Sequence, residues 1–283
     1  MTPDRTVAII VPIYAERLTP DEEVSFRHLM RHLSEYDKYL IMPDNLHIKH
    51  EGFSSKEFNK KYFQGRGTYN QLLVSKFFYK TFIKYEYILI YHLDSLVFSD
   101  QLIEWCKKGY DYIGAPWFKS EVKRAVNWDL AYDWVGNGGF SLRKVQTFLK
   151  VLDAYQAPLN ICRKKIEFFQ TLLKHARRFY GKMLNPKVCR NGLPSESKKT
   201  LKALWWDLSE EYIDRRRNED SFWSFEAKKL YPDFKIAPVE IAVSFSFETG
   251  PRYCFEKNNH CLPFGCHGWT QYDREFWQPY LLK

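Results

Sequence analysis

The sequence predicts an α/β fold in which a mostly parallel sheet is flanked by helices. Short apolar runs rich in β-branched and aromatic residues, such as 7–14 (VAIIVPIY) and 87–98 (YILIYHLDSLVF), have the length of strands. They are apolar on both faces, as the buried strands of a parallel sheet are. Segments with helical periodicity lie between these runs. Strands that alternate with helices at this spacing indicate a parallel sheet.

The elements can be placed in order along the chain. A first strand at 7–14 precedes a helix that opens at Pro20 and runs to Leu33, with acidic residues in its first turn, where the helix dipole favours negative charge. The later elements are a strand at 38–42, a helix at 69–82, a strand at 87–98, a short helix at 101–107 capped by Ser99 and Asp100, and a strand at 110–115.

One carboxylate interrupts the apolar run at 87–98. Asp94 stands near the end of the predicted strand, where a charge is costly unless it meets a cation, a metal or a ligand. In open α/β sheets the ligand crevice lies at the carboxyl ends of the strands. Asp94 is therefore a candidate ligand-binding residue, and the alternative is an Asp that caps the following turn.

Composition bounds the class of protein. With 283 residues, 45% of them hydrophobic, the chain suits one large domain or two small ones. An aromatic share of 18% implies either a large aromatic core or a site for a planar or sugar-like ligand. No apolar stretch is long enough to cross a membrane, no secretory signal precedes the first strand, and the six cysteines form no Cys-x-x-Cys pair. A cytoplasmic protein with reduced cysteines is the expectation.

The formal net charge of +9 comes from one segment. Between Asn160 and Lys202 there are twelve basic residues and two acidic ones, so the rest of the chain is close to neutral. Across 163–183 apolar residues recur with a helical period, which predicts a basic amphipathic helix. Such a helix can lie on an anionic membrane surface or pack on its own domain with a solvated basic face. No nucleic-acid-binding motif accompanies the charge, which disfavours nucleic acid as a partner.

A glycine-rich motif follows at 135–143 (VGNGGFSLR). Glycine lets the backbone approach another group closely or adopt a positive φ. The motif predicts a loop that enters a helix at Ser141, whose free N–H groups suit an anion or a sugar hydroxyl. The alternative is an ordinary turn, which rarely needs three glycines.

Two motifs near the C-terminus carry acidic and imidazole groups. Glu219 and Asp220 precede an aromatic helix at 222–230, where they either cap the helix or supply a general base. His267 stands between Gly265 and Gly268, next to an aromatic residue, and such a histidine is a candidate ligand or catalytic group.

Together these parts resemble a family. The segments VAIIVPIY, HLDSLVF, GNGGFSLRK, NEDSFW and PFGCHGW resemble, in order and spacing, the GT-A class of nucleotide-sugar glycosyltransferases. They are similar in particular to a poorly characterised group from bacterial polysaccharide loci and large viruses. The resemblance covers about residues 7–158 and 205–270. It implies a Rossmann-type sheet in a single catalytic domain over 1–283, with a basic helical insertion at 159–204.

The resemblance also implies a metal site. In GT-A enzymes an Asp-x-Asp motif at the end of the central strand binds the donor ribose and a divalent metal. The corresponding residues here are His92, Leu93 and Asp94, so that only the usual metal-contacting acid is retained. His267 resembles the C-terminal metal-binding histidine of such enzymes. The implied cofactor is Mn²⁺ or Mg²⁺ bound by Asp94 and His267, and imidazole suits Mn²⁺ better.

Further roles follow from the same resemblance. The pair Glu219 and Asp220 resembles the catalytic pair in which Asp is the base of inverting enzymes. The positions implied for donor and nucleotide binding are Pro12, Tyr14, Glu16, Asp44, His92 and Asp94. Those implied for the sugar or the acceptor are Asn137, Gly138, Gly139 and Trp269.

The implied function is transfer of a sugar from a nucleotide-diphosphate donor, a UDP-sugar, to a hydroxyl of a glycan or lipid-linked acceptor in surface polysaccharide synthesis. The enzyme would be cytoplasmic or peripheral on the inner face of the membrane, and a retaining mechanism stays open. One rival is a sugar nucleotidyltransferase, which would need a glycine-rich loop where Pro12 to Glu16 stands. The other is a non-enzymatic basic module that binds membrane or RNA, which does not require Asp94, Gly138, Asp220 and His267 to converge.

Overall fold

The computed structural model describes residues 5–118, 130–157 and 218–282. The chain divides into two compact units, one formed by Met1–Leu152 with Asn218–Lys283 and the other by Asp153–Arg217. Of the second unit only residues 153–157 are described, and they are helical. The basic segment at 159–204, with its predicted amphipathic helix, lies outside the described residues. The elements below belong to the first unit unless stated.

A six-stranded sheet forms the centre of this unit. Along the chain its strands are Arg5–Pro12 (β1), Asp37–Pro43 (β2), Phe53–Phe58 (β3), Tyr85–Tyr91 (β4), Tyr112–Ile113 (β6) and Phe140–Lys144 (β9), and their order in the sheet is β3-β2-β1-β4-β9-β6. Its strands β1, β2, β3 and β4 pair in parallel, and only β9 runs antiparallel to its neighbours β4 and β6. The predicted α/β class with a mostly parallel sheet is confirmed.

The apolar run at 87–98 is not one strand. It forms β4, then a turn at His92, Leu93 and Asp94, and then β5 (Ser95–Val97), which belongs to a second sheet. The Ser95 N–H donates to the His92 carbonyl at 3.0 Å and so closes the turn. The turn therefore leaves the central sheet at the carboxyl end of β4, where the sequence predicted a ligand crevice.

Two smaller sheets complete the strands. In one, β11 (Gly265–His267) lies between β10 (Ser246–Phe247) and β5, and it pairs antiparallel with β5 so that His267 is opposite Ser95. In the other, β7 (Ala115–Phe118) pairs antiparallel with β8 (Leu130–Gly136). The β5–β11 pairing brings the C-terminal histidine motif to the end of β4.

The helices agree with the sequence in part. The first begins at Pro20 as predicted and ends at His32, and Thr19 and Glu22 form a reciprocal capping box at its start. The predicted helix at 69–82 is two helices separated at Val74 and Ser75, because the Ser75 hydroxyl accepts the Phe78 N–H and starts a new turn. The separate helices are Pro20–His32, Arg66–Leu73, Lys76–Thr81, Leu102–Lys107, 145–157, Val239–Phe245, Pro251–Lys257 and Arg274–Trp277. One further helix has three consecutive parts, which are Glu219–Ser221, a π-helix at Phe222–Glu226, and Ala227–Leu230. Short 3₁₀ turns lie at Lys60–Phe63 and Gln278–Tyr280.

Two local predictions were wrong. Residues 140–144 are strand β9 rather than the start of a helix, and the helix begins only at Val145. The run Phe140, Ser141, Leu142, Arg143 is buried on both faces between β4 and β6, and these pairings override its helical pattern. The short helix at 102–107 has Gln101 as its N-cap, so Ser99 and Asp100 do not cap it.

The main hydrophobic core lies on the central sheet and includes Ile9, Val11, Leu40, Leu89 and Phe140. A second cluster packs the C-terminal segment around Trp269 and Trp277, which are both fully buried. Burying one such large side chain stabilises the fold by about 1.5–3 kcal/mol. Among the described residues no helix combines the length and the apolar character that crossing a membrane requires.

Candidate metal and active-site cleft

A cleft of about 460 Å³ opens at the carboxyl ends of β1 and β4. The helix Arg66–Leu73, the turn after β4, the glycine loop and the start of the helix at Glu219 contribute to its wall. Most of the site residues predicted from the sequence line it together, namely Tyr14, His92, Asp94, Asn137, Gly138, Gly139, Glu219, Asp220 and His267.

Four predicted site residues do not line this cleft. Pro12 is buried at the end of β1, and Glu16 is exposed in the loop that follows. Asp44 is also exposed, and its carboxylate accepts the Lys60 N–H at 3.0 Å. The ring of Trp269 is fully buried in the C-terminal core, so it is not available to stack on a ligand in the cleft.

Three side chains in the cleft offer metal ligands at one point. One nitrogen each from His92 and His267 and one oxygen of Asp94 lie within 4.8 Å of one another. His92 and Asp94 project from the turn after β4, and the His92 N–H donates to the Gly139 carbonyl at 2.8 Å. The sequence predicted the pair of Asp94 and His267, and the structure adds His92 to the group.

The donor chemistry of this group fits a divalent cation. Within the described residues the Oδ1 atom of Asp94 is buried without a hydrogen-bond partner, although His267 Nε2 lies 3.3 Å away. On the other side of the ring, His267 Nδ1 lies 2.9 Å from Glu248 Oε1, which fixes the orientation of the imidazole as carboxylates do around metal-bound histidines. Two imidazoles and a carboxylate suit Mn²⁺ better than Mg²⁺. The sequence does not identify Glu248 as a site residue, because it belongs to no motif. Only its position in the folded chain does so.

When no cation is bound, a proton on His267 balances the negative charge of the neighbouring carboxylates. Burial opposes protonation of His267, but the carboxylates of Asp94 and Glu248 outweigh it and raise the His267 pKa to about 10. Burial would raise the pKa of Asp94, yet its contact with His267 lowers that pKa to about 2. Burial lowers the pKa of His92 to about 4, so that this imidazole is neutral and able to ligate a metal. A divalent cation held by His267 Nε2 would displace the proton there.

Two side chains pack so closely against the loop backbone that glycine is needed there. A Cβ on Gly139 would stand 2.0 Å from His267 Nε2, and a Cβ on Gly138 would stand 2.3 Å from Glu219 Oε1. The close approach predicted from the sequence is therefore made by two side chains of the cleft itself. Asn137 has a φ of 145°, and its Oδ1 accepts the N–H groups of Gly139 and Phe140. Its buried Nδ2 has no partner within the described residues.

The acidic pair is divided between two tasks. Both acids line the cleft, but Glu219 is buried and forms an ion pair with Arg143 at 2.8 Å, and Asp220 has no such basic partner among the described residues. Asn218 is the N-cap of the helix, so Asp220 does not fill that position, although its Oδ1 accepts the Ser221 N–H at 2.7 Å. Burial, together with the nearby charge of Glu219, raises the pKa of Asp220 to about 7. A carboxylate with such a pKa is suited to accept a proton near neutral pH.

An aromatic wall leads from the cleft mouth to the metal-ligand group. The ring of Tyr14 is 52% exposed and lies 5.8 Å from that of Phe63 and 6.1 Å from that of Tyr69. The ring of Tyr69 in turn lies 5.5 Å from His92. Of these, the sequence singled out Tyr14 and His92 and missed Phe63 and Tyr69, which carry no motif.

Residues 52–267 match a protein family described as a protein of unknown function, DUF5672. The chain belongs to this family. The matched region includes every residue of the metal-ligand group and Asp220. No functionally curated protein matches this DUF5672 protein significantly.

Solved structures resemble the chain at low identity. The glycosyltransferase GlyE of Streptococcus pneumoniae TIGR4 shares 15% identity over 98% of this chain, with a TM-score of 0.44, and its apo form shares 14% over 97% with the same score. This chain spans 60% of the length of either GlyE chain. An active-site mutant of LgtC shares 13% identity over 98% of this chain and 96% of its own, with a TM-score of 0.45.

Proposed function

We propose that this DUF5672 protein is a metal-dependent glycosyltransferase that moves a sugar from a nucleoside-diphosphate donor to a hydroxyl acceptor. One observation supports this above the others. The metal-ligand group (His92, Asp94 and His267) and the proton-accepting Asp220 line the same cleft, at the carboxyl ends of parallel strands. This agrees with the GT-A resemblance of the sequence.

His92, Asp94 and His267 would hold the cation, and Glu248 would orient His267 behind it. A bound Mn²⁺ would offset the charge on the diphosphate leaving group. Arg66, which also lines the cleft, adds a positive charge to it. These groups together suit a diphosphate, because its oxygens accept both metal and guanidinium contacts.

Asp220 is proposed as the base. Its carboxylate takes the proton of the acceptor hydroxyl while the acceptor oxygen bonds to the anomeric carbon and the bond from that carbon to the diphosphate breaks. The single displacement inverts the configuration at the anomeric carbon. A pKa near 7 leaves a useful fraction of Asp220 ionised at neutral pH, with enough basicity to accept the proton.

The aromatic wall is the proposed seat of the nucleobase. The half-exposed ring of Tyr14 at the cleft mouth offers a planar face, and stacking on such a ring does not depend on the identity of the base. UDP is the proposed nucleotide, as the resemblance implies. The proposed acceptor is a glycan or a lipid-linked glycan of a surface polysaccharide, with the basic segment at 163–183 against an anionic membrane.

The rival functions fare less well. A non-enzymatic basic module does not require Asp94, Gly138, Asp220 and His267 to meet, and all four line one cleft. A sugar nucleotidyltransferase would need a glycine-rich phosphate loop after β1, and the residues from Pro12 to Glu16 contain no glycine.

The decisive experiment combines binding and turnover. Thermal shifts across nucleotides and sugar nucleotides, with and without Mn²⁺, identify the donor, since a ligand that binds the native state raises the unfolding temperature. With that donor, Asp220→Asn should lower turnover by at least roughly a hundredfold while donor affinity stays nearly unchanged. Asp233→Asn, which removes an exposed carboxylate outside the cleft, is the matched control and should keep full turnover.

Two results would overturn the proposal. One is the absence of any nucleotide binding with or without metal. The other is near-normal turnover of Asp220→Asn, which would leave Asp220 with a structural role only.

A further inference from the structure

A buried ion pair lies directly beneath the cleft. Arg143 Nη2 and Glu219 Oε1 are 2.8 Å apart, and the two side chains are 0% and 2% exposed. Desolvating two charges costs about as much as their attraction returns, so a buried pair of this kind is weak evidence of a stabilising role. Its position suggests another role.

Arg143 binds several elements at once. From strand β9, its Nη1 donates to the Tyr79 hydroxyl at 3.0 Å and its Nε donates to the Ser141 hydroxyl at 3.0 Å. Its Nη2 donates to Glu219 and also, at 3.3 Å, to the Gly138 carbonyl. One guanidinium therefore joins the glycine loop to the start of the helix at Glu219.

Glu219 is packed against the same loop. Its Oε1 would touch a Cβ on Gly138 at 2.3 Å, so the carboxylate rests on bare backbone. The N-cap of this helix, Asn218, makes no side-chain hydrogen bond to the first turn, and the helix becomes π-helical from Phe222. The ion pair is thus a contact of the first helical residue with the glycine loop, in addition to the buried ring of Trp223 and the Ser224 hydrogen bond in the next turn. Asp220 is the residue that follows Glu219.

We infer that Arg143 and Glu219 are positioning residues for Asp220, and that their ion pair fixes the helix start against the glycine loop and so sets where the Asp220 carboxylate stands in the cleft. This inference rests on the proposed function, in which Asp220 is the base. Neither residue of the pair needs to touch substrate for this role.

The charges around Asp220 make the inference measurable. Glu219 on its own helix and Glu248 beyond β10 disfavour its ionised form, as does Tyr112 when ionised, and Arg66 at the start of the helix Arg66–Leu73 favours it. Arg143 partly cancels the charge of Glu219. Replacing Glu219 alone removes a repelling charge next to Asp220, whereas replacing Arg143 alone exposes Asp220 to the full charge of Glu219.

The experiment follows the Asp220 carboxyl by ¹³C NMR, with its resonance identified by its loss in Asp220→Asn. In Glu219→Gln the midpoint of its titration should fall by about one pH unit or more, and in Arg143→Met it should rise. Because either single variant leaves a buried charge unpaired and can fail to fold, the double variant Arg143→Met with Glu219→Gln keeps the test open. Its neutral side chains are of similar size, and its midpoint should also fall.

Turnover supplies a second readout. The double variant should lose about tenfold or more in kcat while the donor KM stays within about twofold, since the metal-ligand group is left intact. The control is the part-exposed pair formed by Lys144, which is on the same strand as Arg143, and Glu86 on the neighbouring strand β4, which are 3.2 Å apart. Lys144→Met with Glu86→Gln removes the same charges without touching the helix at Glu219 and should leave both readouts unchanged.

A double variant that folds and keeps both the wild-type titration midpoint of Asp220 and the wild-type kcat would overturn the inference. A wild-type protein without transfer activity would instead refute the proposed function, and the titration would still decide whether the pair controls Asp220.

Discussion

The backbone of Gly139 lies directly against the imidazole of His267, so closely that a Cβ on Gly139 would stand 2.0 Å from His267 Nε2. That nitrogen is one of the three proposed metal ligands. Glycine is therefore needed at this position because it leaves room for the His267 ring, and not because it adopts a special backbone conformation.

Gly139→Ala should displace the His267 ring and weaken Mn²⁺ binding by about tenfold or more, which calorimetry can measure. The control is Gly67→Ala, since Gly67 lies within a helix and has nothing within 4 Å of its Cβ position. That variant should bind Mn²⁺ normally and be slightly more stable. Unchanged affinity in Gly139→Ala would mean that the cation does not use His267.

Glu248 is the second test of the metal site. Its carboxylate lies 2.9 Å from His267 Nδ1 and holds the ring in place. Glu248→Gln keeps the shape but removes the charge, and Mn²⁺ affinity should fall by roughly 10- to 100-fold, the usual effect of losing such a partner. Glu240→Gln, a carboxylate exposed on a helix outside the cleft, should leave affinity unchanged. Equal affinities in the two variants would contradict the role of Glu248.

The raised pKa of Asp220 should make the stability of the folded protein depend on pH. Its pKa rises from 3.8 to about 7 on folding, so the folded protein binds the proton more tightly and wild-type stability falls as pH rises from about 4 to 7. Asp220→Asn cannot ionise and avoids this loss. The variant should match the wild type near pH 4 and exceed it by about 1–3 kcal/mol at pH 8, the upper figure being reduced by solvent in the cleft.

Urea unfolding at the two pH values, without metal, measures this difference. Asp233→Asn, which changes an exposed carboxyl outside the cleft, is the control variant for this comparison. If Asp220→Asn raises the free energy of unfolding by the same amount at both pH values, ionisation of Asp220 does not destabilise the folded protein.

A substitution at Tyr14 tests the proposed binding site of the nucleobase. Its ring is 52% exposed at the cleft mouth, so Tyr14→Ala should cost little stability. It should weaken UDP binding by about 1–3 kcal/mol, the value of one stacking contact. Phe77→Ala removes a 59% exposed ring outside the cleft and should leave UDP affinity unaltered. If both variants bind UDP like the wild type, the base lies elsewhere.

The basic segment at 163–183 lies outside the described residues, and its membrane role stays a prediction. Attraction to acidic lipid is worth about 1 kcal/mol per basic residue near the surface and is screened by salt. Co-sedimentation with vesicles should therefore need acidic lipid, weaken with salt and drop when Lys174, Arg177 and Arg178 are changed to Glu. The same change at the exposed Lys56, Lys60 and Lys61 is the control. A wild-type protein that ignores acidic vesicles at low salt would contradict the prediction.

The sequence by itself determined the class of fold and the residues to suspect. Continuous apolar runs such as VAIIVPIY can only be buried on both faces, and a parallel sheet provides that burial. Asp94 and His267 stood out because each is a polar group set among apolar or glycine residues, and Asp220 stood out as one of two adjacent acids before an aromatic helix.

Only the tertiary structure decided which groups meet and how each is tuned. The apolar pattern at 87–98 does not reveal the turn at His92, because the exit from the sheet depends on the pairing of β5 with β11. Tyr69 and Glu248 belong to no motif, and Arg143 ends the glycine-rich motif without any local sign of its charge partner; the roles of all three arise from contacts between residues far apart in the chain. Even Glu219 and Asp220, which are adjacent in sequence and line the same cleft, differ because only Glu219 is paired with the buried guanidinium of Arg143. Local patterns encode burial, whereas charge partners and close approaches are properties of the folded chain.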